Sequence, residues 1–360
     1  MPIKRERIFY LDLIRAVAFF CIVTIHFNAE VSQMFVLTNH VFSNHVLGSI
    51  YLGDFGVSLF FMISGAALMY VNGETCKPLK TFYWKRFKSL YPMFWLAWII
   101  AFCTLFMINK SINDGAQLWT ILLTVLGMDG YTFVLGAAPF GYYILGEWFL
   151  GCIVLLYLIY PLLSYMLNKK PWLTCIFFLG VYIILSFYFM GIFFLLRIPE
   201  MLFGMLFMKY IRKPKPIHGG IAIVVLFISM CLRQYLRPLT YCVLASACVF
   251  TLLALLAGWV KNISVQKIFQ VLSKYSYAAF LIHHVLITAM IKGFDLPSLT
   301  RKEVWLLYFI YLVLTGILSY GLYHLNERVL KAASRFYSAR KKNKSNEDTR
   351  IVGVNGAVSK

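Results

Sequence analysis

The residues best suited to chemistry lie in the first hydrophobic stretch, Ile8 to Phe27, which contains Asp12, Arg15 and His26. A stretch of this length can cross a bilayer as a helix, and ionisable groups inside such a helix are costly unless they are paired or face a cavity. Asp12 and Arg15 are three residues apart, which predicts that they pair. Arg15 and His26 are eleven residues apart, so they share a helix face and lie roughly 16 Å apart along its axis.

This face offers two kinds of chemistry. A neutral imidazole is the commonest general base at physiological pH, so His26 is a candidate base or transient acyl carrier. Arg15 is permanently charged and suits a phosphate or carboxylate partner. The alternative is structural, with Asp12 and Arg15 locking the helix and His26 lying at the membrane interface. The sequence leaves both interpretations open.

Two further segments carry charged candidates. Lys85, Arg86 and Lys88 precede the third hydrophobic segment among aromatic residues. They could contact lipid headgroups or a phosphorylated ligand. Arg197 and Glu200 can neutralise each other in a helix that contains proline and glycine, which is tolerated where a helix lines a cavity. They form either a structural pair or part of a ligand cavity.

Small and titratable residues in other segments complete the set of candidates. Ser64 and Gly65 indicate close helix packing, or room for a ligand. The adjacent His283 and His284 point about 100° apart around a helix, which predicts that at most one of them faces a site. Glu327 ends the last hydrophobic segment, where a capping or interhelical role is expected.

Composition defines the class of protein. Of 360 residues, 61% are hydrophobic and only 13% are charged, which is typical of an all-α polytopic membrane protein and excludes an ordinary soluble enzyme. The net charge of +20 is concentrated between hydrophobic segments, so no nucleic-acid partner is expected. The eight cysteines show no CxxC spacing, and we expect neither a disulfide framework nor a metal site.

The hydrophobic pattern predicts about ten transmembrane helices in one bundle, surrounded by membrane lipid. Lys and Arg are concentrated in alternate connections, which predicts that both termini are cytoplasmic. We expect the bundle to occupy residues 1–330, and residues 331–360 to form a basic, disordered cytoplasmic tail. The predicted spans are 8–27, 50–70, 90–108, 148–167, 172–190, 193–210, 217–235, 240–259, 271–291 and 304–326.

Several motifs, taken in order, resemble the membrane-bound acyltransferase-3 family. Two positions depart from the family pattern: Ser89 replaces the second Arg of RxxR, and Met201 replaces an aromatic residue after Glu200. The motifs are Leu11–Arg15 (LDxxR), Arg15 to His26 (R-x10-H), Phe60–Gly65 (FFxxSG), Arg86–Pro92 (RxxRxxP), Trp148–Pro161 (WFL…Y…P), Arg197–Gly204 (R-x-PEF-x-x-G), Ser276–His283 (SYxxYLIH) and the closing Glu327.

The resemblance implies an O-acetyltransferase of the plasma or inner membrane, similar to compact members without an extracellular hydrolase-like domain. The donor would be cytoplasmic acetyl-CoA, used as a substrate with no bound cofactor, and the acceptor a cell-surface or lipid-linked glycan. His26, Arg15 and Asp12 would be catalytic, with Asp12 fixing Arg15. His283 and Glu327 are further candidates. The residues expected to bind the donor are Lys85, Arg86, Lys88, Ser64, Arg197 and Glu200.

A glycan transporter or flippase would also carry intramembrane charges. It should show inverted repeats and paired broken helices, and the sequence contains no sign of either. A non-catalytic partner of polysaccharide synthesis is a third possibility, and it would tolerate the loss of His26. The sequence therefore favours acyl transfer over these two classes.

Overall fold

The chain is described by a computed structural model in which helices account for nearly all of the secondary structure. The side chains of Asn109 and of residues beyond 338 are not described. Residues 358–360 of the predicted tail lie outside the described part altogether. The described residues are 6–73, 78–109, 115–138, 141–145 and 148–357.

Twelve α-helices form the described part of the fold. Three short 3-10 helices (Leu118–Thr120, Phe194–Arg197 and Leu296–Ser298), a π-helical turn (Phe207–Ile211) and an antiparallel pair of two-residue strands, β1 (His45–Val46) and β2 (Ile50–Tyr51), complete it. The helices are α1 (Phe9–Val31), α2 (Leu52–Asn72), α3 (Leu79–Asn109), α4 (Ile121–Val125), α5 (Asp129–Val134), α6 (Trp148–Lys169), α7 (Pro171–Leu185), α8 (Ile198–Leu206), α9 (Pro216–Cys231), α10 (Pro238–Ala257), α11 (Ile263–Ile291) and α12 (Arg301–Ala357).

Each of the ten predicted spans coincides with helical structure, but the helices differ in length and polarity. Six helices in the described chain, namely α1, α2, α3, α6, α10 and α12, are long and apolar enough to cross a membrane. Helices α7 and α9 are apolar but shorter. The protein is therefore an all-α membrane protein with at least six candidate spans, whereas the count of ten and the location of the termini stay predictions.

Helices α1 and α2 lie at the centre of the bundle. In the 18-residue apolar segment of each helix, 61% of α1 and 78% of α2 is buried inside the protein. The corresponding shares are 22% for α3 and 33% for α12. Helix α1 packs along α2, α10 and α11, and α2 packs along α8. A hydrophobic helix buried in this way faces protein rather than lipid, so its polar side chains point into the interior of the bundle.

Glycine permits the closest of these helix contacts, between α2 and α8. A Cβ atom on Gly65 would collide with the backbone carbonyl of Met201, and one on Gly204 would collide with the carbonyl of Met62. Small residues at crossing points let two backbones approach in this way. The packing interpretation of Gly65 is therefore confirmed, while its neighbour Ser64 lines a cavity described below.

The last helix is longer than its hydrophobic segment. Helix α12 continues from Arg301 to Ala357, into the tail for which the sequence predicts disorder. Its apolar part contributes Tyr308 and Tyr311 to a second hydrophobic cluster, which they share with Val23 and Phe27 of α1. This cluster holds α12 against the C-terminal half of α1 and so supports the region around His26.

Candidate active site

Helices α1 and α11 bring His26 and His283 into direct contact. The Nδ1 atom of His26 lies 2.6 Å from the Nε2 atom of His283, and the two rings stack at a centroid distance of 4.9 Å. His283 is completely buried, whereas His26 is partly exposed. The two residues are 257 positions apart in the chain, so only the packing of α1 on α11 creates this pair.

The hydrogen bonds of the pair determine where its protons are. The Nδ1 atom of His283 lies 2.7 Å from the backbone carbonyl of Phe280. A carbonyl can only accept, so the neutral ring of His283 carries its proton on Nδ1 and accepts at Nε2. The Nδ1 atom of His26 must then donate to His283, which leaves the Nε2 atom of His26 unprotonated. The Nε2 lone pair of His26 therefore points away from His283 and can accept a proton, as a general base requires.

His284 also lies against His26, and the prediction that only one of the adjacent histidines faces a site is wrong. The ring centroids of His26 and His284 are 4.4 Å apart, compared with 4.9 Å for His26 and His283. The 100° between adjacent side chains on α11 does not separate them, because the His26 ring is broad enough to touch both where α1 packs closely on α11.

Arg15 occupies a cavity of about 290 Å³ on the same face of α1, nearer its N-terminus. Its guanidinium donates a 3.1 Å hydrogen bond to the Ser273 hydroxyl of α11. Ser64, Lys274 and Ser276 also line the cavity. A guanidinium surrounded by several serine hydroxyl groups forms an environment that suits an anion, and phosphate oxygens most of all.

The cavity ends close to the histidine pair. Phe280 lines it, and the centroid of the Phe280 ring is 5.8 Å from that of His283, one turn further along α11. The cavity therefore lies beside Arg15 on α1 and extends along α11 as far as Phe280, one turn before the histidine pair. A ligand bound near Arg15 would extend along α11 toward His26.

The predicted pairing of Asp12 with Arg15 is wrong. The carboxylate of Asp12 accepts hydrogen bonds from Nε and from an Nη atom of Arg7, at 2.6 and 2.9 Å. Arg7 lies before the start of α1, so its side chain can approach both carboxylate oxygens in the preferred fork geometry, while Arg15 points to Ser273. The hydrogen bond to Asp12 raises the pKa of Arg7. Asp12 therefore anchors the N-terminal segment and not the cavity arginine.

The three cations before α3 occupy different environments. Arg86 lies over the ring of Tyr157, which lines the Arg15 cavity, and its Nε atom is buried with no hydrogen-bond partner among the described residues. Lys85 is exposed, and the Lys88 ammonium lies 5.0 Å from the Trp84 ring. Of these three, only Arg86 lies beside the cavity, because only its side chain turns toward α6.

Arg197 and Glu200 form a fully buried ion pair with a 2.8 Å contact. Ser58 donates a 2.8 Å hydrogen bond to the same Glu200 oxygen, and Asp54 lies 3.4 Å from the Arg197 guanidinium. The guanidinium also lies over the ring of Trp148. These contacts join α8 to α2 and α6 outside the Arg15 cavity, so the structure supports the structural interpretation of the pair and not a donor contact.

Glu327 lies on α12 beside His324, at 3.3 Å, and both side chains are partly exposed. His324 in turn lies 3.3 Å from the hydroxyl of Tyr275 on α11. The pair is therefore within one helix, and through Tyr275 it contacts the outside of α11 rather than the cavity.

The sequence does not predict several residues of the site, among them Ser273, Lys274 and His284. A run of polar residues at the start of a hydrophobic segment is ordinarily a solvated helix end, which hides Ser273 and Lys274. His284 is missed because adjacent side chains on a helix point about 100° apart, which predicts that only one of His283 and His284 faces the site. Spacing along α11 does contain one usable signal, since residues 273 and 276 lie one turn apart on the face that also carries Phe280.

Comparison with known proteins adds a family to this geometry. A sequence model of the acyltransferase-3 family, described as an acyltransferase domain, matches residues 8–324. A similar relative is the acyltransferase MdmB of Streptomyces mycarofaciens, which is 26% identical over 125 residues, covering 33% of this chain. The match spans 30% of that relative's own length. No solved structure matches.

Proposed function

The chain belongs to the acyltransferase-3 family, and we propose that this membrane acyltransferase is an O-acetyltransferase acting on a cell-surface or lipid-linked glycan. The donor would be cytoplasmic acetyl-CoA, and the membrane the plasma or inner membrane. One observation carries the proposal: an imidazole whose Nε2 lone pair points away from its histidine partner lies next to Phe280, which lines a cavity that also contains the half-buried Arg15.

The Arg15 cavity suits the anionic part of the donor. Arg15, Lys274 and the hydroxyl groups of Ser64 and Ser273 would contact the phosphates, and Arg86 has an unused buried N–H group next to the cavity wall. Guanidinium groups match phosphate oxygens in charge and geometry. The pantetheine arm would then follow α11 past Phe280 and present its thioester beside the histidine pair.

His26 would act as general base. Its Nε2 atom takes the proton of the acceptor hydroxyl while the hydroxyl oxygen attacks the thioester carbonyl carbon. The carbon–sulfur bond breaks, and the proton passes from the imidazolium to the thiolate of coenzyme A. Because His283 accepts from the Nδ1 atom of His26, it stabilises the imidazolium that forms midway and holds the ring in the reactive tautomer.

An apolar groove supports a lipid-linked form of the acceptor. It has a volume of about 550 Å³ and lies between α3, α11 and α12. Leu281, Ile282 and Val285 line it, and they flank the adjacent His283 and His284 on α11. An alkyl chain in this groove would bring its polar headgroup to the level of His283 and His284 in the membrane.

The direct test is transfer of radiolabelled acetyl from acetyl-CoA to cell-surface glycan, in cells with the wild-type chain and with His26→Ala or Arg15→Ala. At normal protein levels, His26→Ala should lose transfer and Arg15→Ala should transfer less than wild type. His40→Ala is the matched control, because His40 is exposed, and it should transfer as wild type does.

Two outcomes contradict the proposal. Undiminished transfer by His26→Ala would exclude the histidine pair as the active site. Movement of glycan across the membrane without consumption of acetyl-CoA would instead indicate a transporter. A mass increase of one acetyl group on the glycan, present only with the active chain, would identify both the acyl group and the acceptor.

A further inference from the structure

Three imidazoles converge near Phe280, which lines the Arg15 cavity, whereas the proposed base catalysis uses only two of them. One nitrogen of each of His26, His283 and His284 lies within 4.8 Å of the corresponding nitrogens of the other two. Helix α1 supplies one ring and α11 the other two. Neither the sequence spacing nor the family comparison points to a metal here, because the residues are remote in sequence.

We propose that His26, His283 and His284 bind a divalent transition metal ion, with Zn²⁺ as the best fit, and that the ion blocks acyl transfer. The second half of this statement rests on the proposed function, whereas the first half does not. Imidazole nitrogens suit Zn²⁺, Cu²⁺ and Ni²⁺, and three histidines with an open fourth position are a common zinc coordination set.

The distances allow this coordination after small side-chain movements. Zinc–nitrogen bonds of about 2.0–2.1 Å place two nitrogens of a tetrahedral site about 3.3 Å apart. The His26 and His283 nitrogens at 2.6 Å would therefore separate by about 0.7 Å. The widest pair, within 4.8 Å, would close by up to about 1.5 Å. Rotations about the side-chain bonds of His26 and His284, both partly exposed, supply movements of this size.

A second observation also points to a metal. The Nδ1 atom of His283 donates to the Phe280 carbonyl, which directs its Nε2 lone pair into the cluster. Metal-binding histidines almost always donate their other ring N–H to a carbonyl or carboxylate, which fixes the ring and its tautomer. His283 thus already has the orientation and the protonation that a zinc ligand needs.

The ion would compete with the proton shared by His26 and His283. To bind both rings, it must displace the hydrogen from the His26 Nδ1 atom, and the neutral metal-bound ring then carries that hydrogen on Nε2. The protonated Nε2 atom of His26 then offers no lone pair to the acceptor hydroxyl, and His283, bound to the ion, can no longer accept from His26. The metal-bound site would therefore be inactive, and removal of the metal would restore it.

Metal binding can be measured without any acyl transfer. The full-length chain in detergent, freed of metal with EDTA, is titrated with Co²⁺, whose four-coordinate complexes absorb visible light far more strongly than the aqueous ion. We expect an intense band that saturates at one Co²⁺ per chain and disappears on addition of Zn²⁺. His284→Ala and His283→Gln should each weaken Co²⁺ binding at least tenfold.

Controls separate this site from surface histidines. His40 and His45 are exposed, so His40→Ala and His45→Ala should leave the band unchanged. X-ray absorption of the zinc-loaded wild type should show imidazole ligands, a measurement that needs no variant. Absence of the Co²⁺ band, or its loss in the His40 or His45 variant, would overturn the site.

Inhibition is tested separately. Stoichiometric Zn²⁺ should abolish acetyl transfer by the wild type, and EDTA should restore it. Zinc that binds without slowing transfer would overturn the inhibitory role while leaving the metal site intact. Inactive protein that still binds Co²⁺ through the three histidines would instead contradict the proposed function and support the site.

Discussion

Replacement of His283 tests whether this residue acts through His26 or on the substrate directly. In His283→Ala the His26 ring loses the acceptor of its Nδ1 proton, at present 2.6 Å away. The proton can then reside on either nitrogen, and the fraction of His26 with a free Nε2 lone pair falls. Substrate contacts at the Arg15 cavity, one turn or more away, are unchanged.

The expected magnitude follows from the single hydrogen bond that is lost. Such a bond contributes about 0.5–1.5 kcal/mol, which corresponds to a factor of about 2–13 in the population of the reactive tautomer. Removal of the base itself, in His26→Ala, should cost about 100- to 10,000-fold. His283→Ala should therefore lower kcat about tenfold, at least ten times less than His26→Ala does.

The assay is initial-rate acetyl transfer by the purified chain in lipid nanodiscs, with acetyl-CoA varied so that kcat and KM are separated. The KM for acetyl-CoA should stay within about twofold of wild type, because a factor of two corresponds to less free energy than even a weak hydrogen bond contributes. His283→Gln is the conservative control, since its side-chain carbonyl can accept from the His26 Nδ1 atom, and it should recover most of the lost rate.

Two results would refute this reasoning. A loss in His283→Ala as large as in His26→Ala would mean that His283 contacts the reacting atoms. Failure of His283→Gln to recover any rate, in a protein that remains folded, would mean that the accepting hydrogen bond is not what His283 supplies.

Three further predictions concern packing, the buried ion pair and the donor cavity. Gly204→Val should yield no folded protein on size-exclusion chromatography in detergent, because the valine side chain would collide with the α2 backbone. Gly316→Val is the control, since Gly316 has open space around it, and it should give the wild-type yield. Equal yields of the two variants would contradict the packing of α8 on α2. Glu200→Leu should destabilise the fold by about 3–5 kcal/mol, because it removes the 2.8 Å partner of a buried guanidinium and leaves only the longer contact to the half-exposed Asp54. The measurement is the thermal unfolding temperature, and an unchanged temperature would disprove the pairing. Arg15→Ala should raise the KM for acetyl-CoA at least tenfold, whereas Lys85→Ala, which changes an exposed side chain, should leave this KM unchanged. A raised KM in Lys85→Ala and an unchanged KM in Arg15→Ala would place the donor site at α3 instead.

Much of the site could be predicted from spacing within single helices. The eleven residues between Arg15 and His26 place both on one face for any regular helix, because the helical repeat is fixed by backbone geometry. In the folded chain Arg15 lines a cavity that reaches Phe280, whose ring lies 5.8 Å from that of His283, the partner of His26. Composition likewise predicts a helical membrane protein, since backbone groups in lipid must be satisfied within each segment.

Partners between segments are harder to predict, and the errors have a common cause. Spacing assigns Asp12 to Arg15 because it permits their contact, but the flexible Arg7 competes for the same carboxylate and wins with two hydrogen bonds. For His284, the 100° between adjacent residues on α11 predicts that it points away from the site, but the His26 ring of α1 lies against it. In both cases the deciding neighbour lies outside the helix that supplies the prediction.

The sequence by itself determined the class of protein, its family motifs and the alignment of Arg15 with His26. Only the tertiary structure decided that His26 meets His283 and His284, and that Ser273 and Lys274 share a cavity with Arg15. The physical reason is that periodicity fixes which residues share a face of one helix, whereas the rotation and depth of one helix against another depend on side-chain packing along their whole contact.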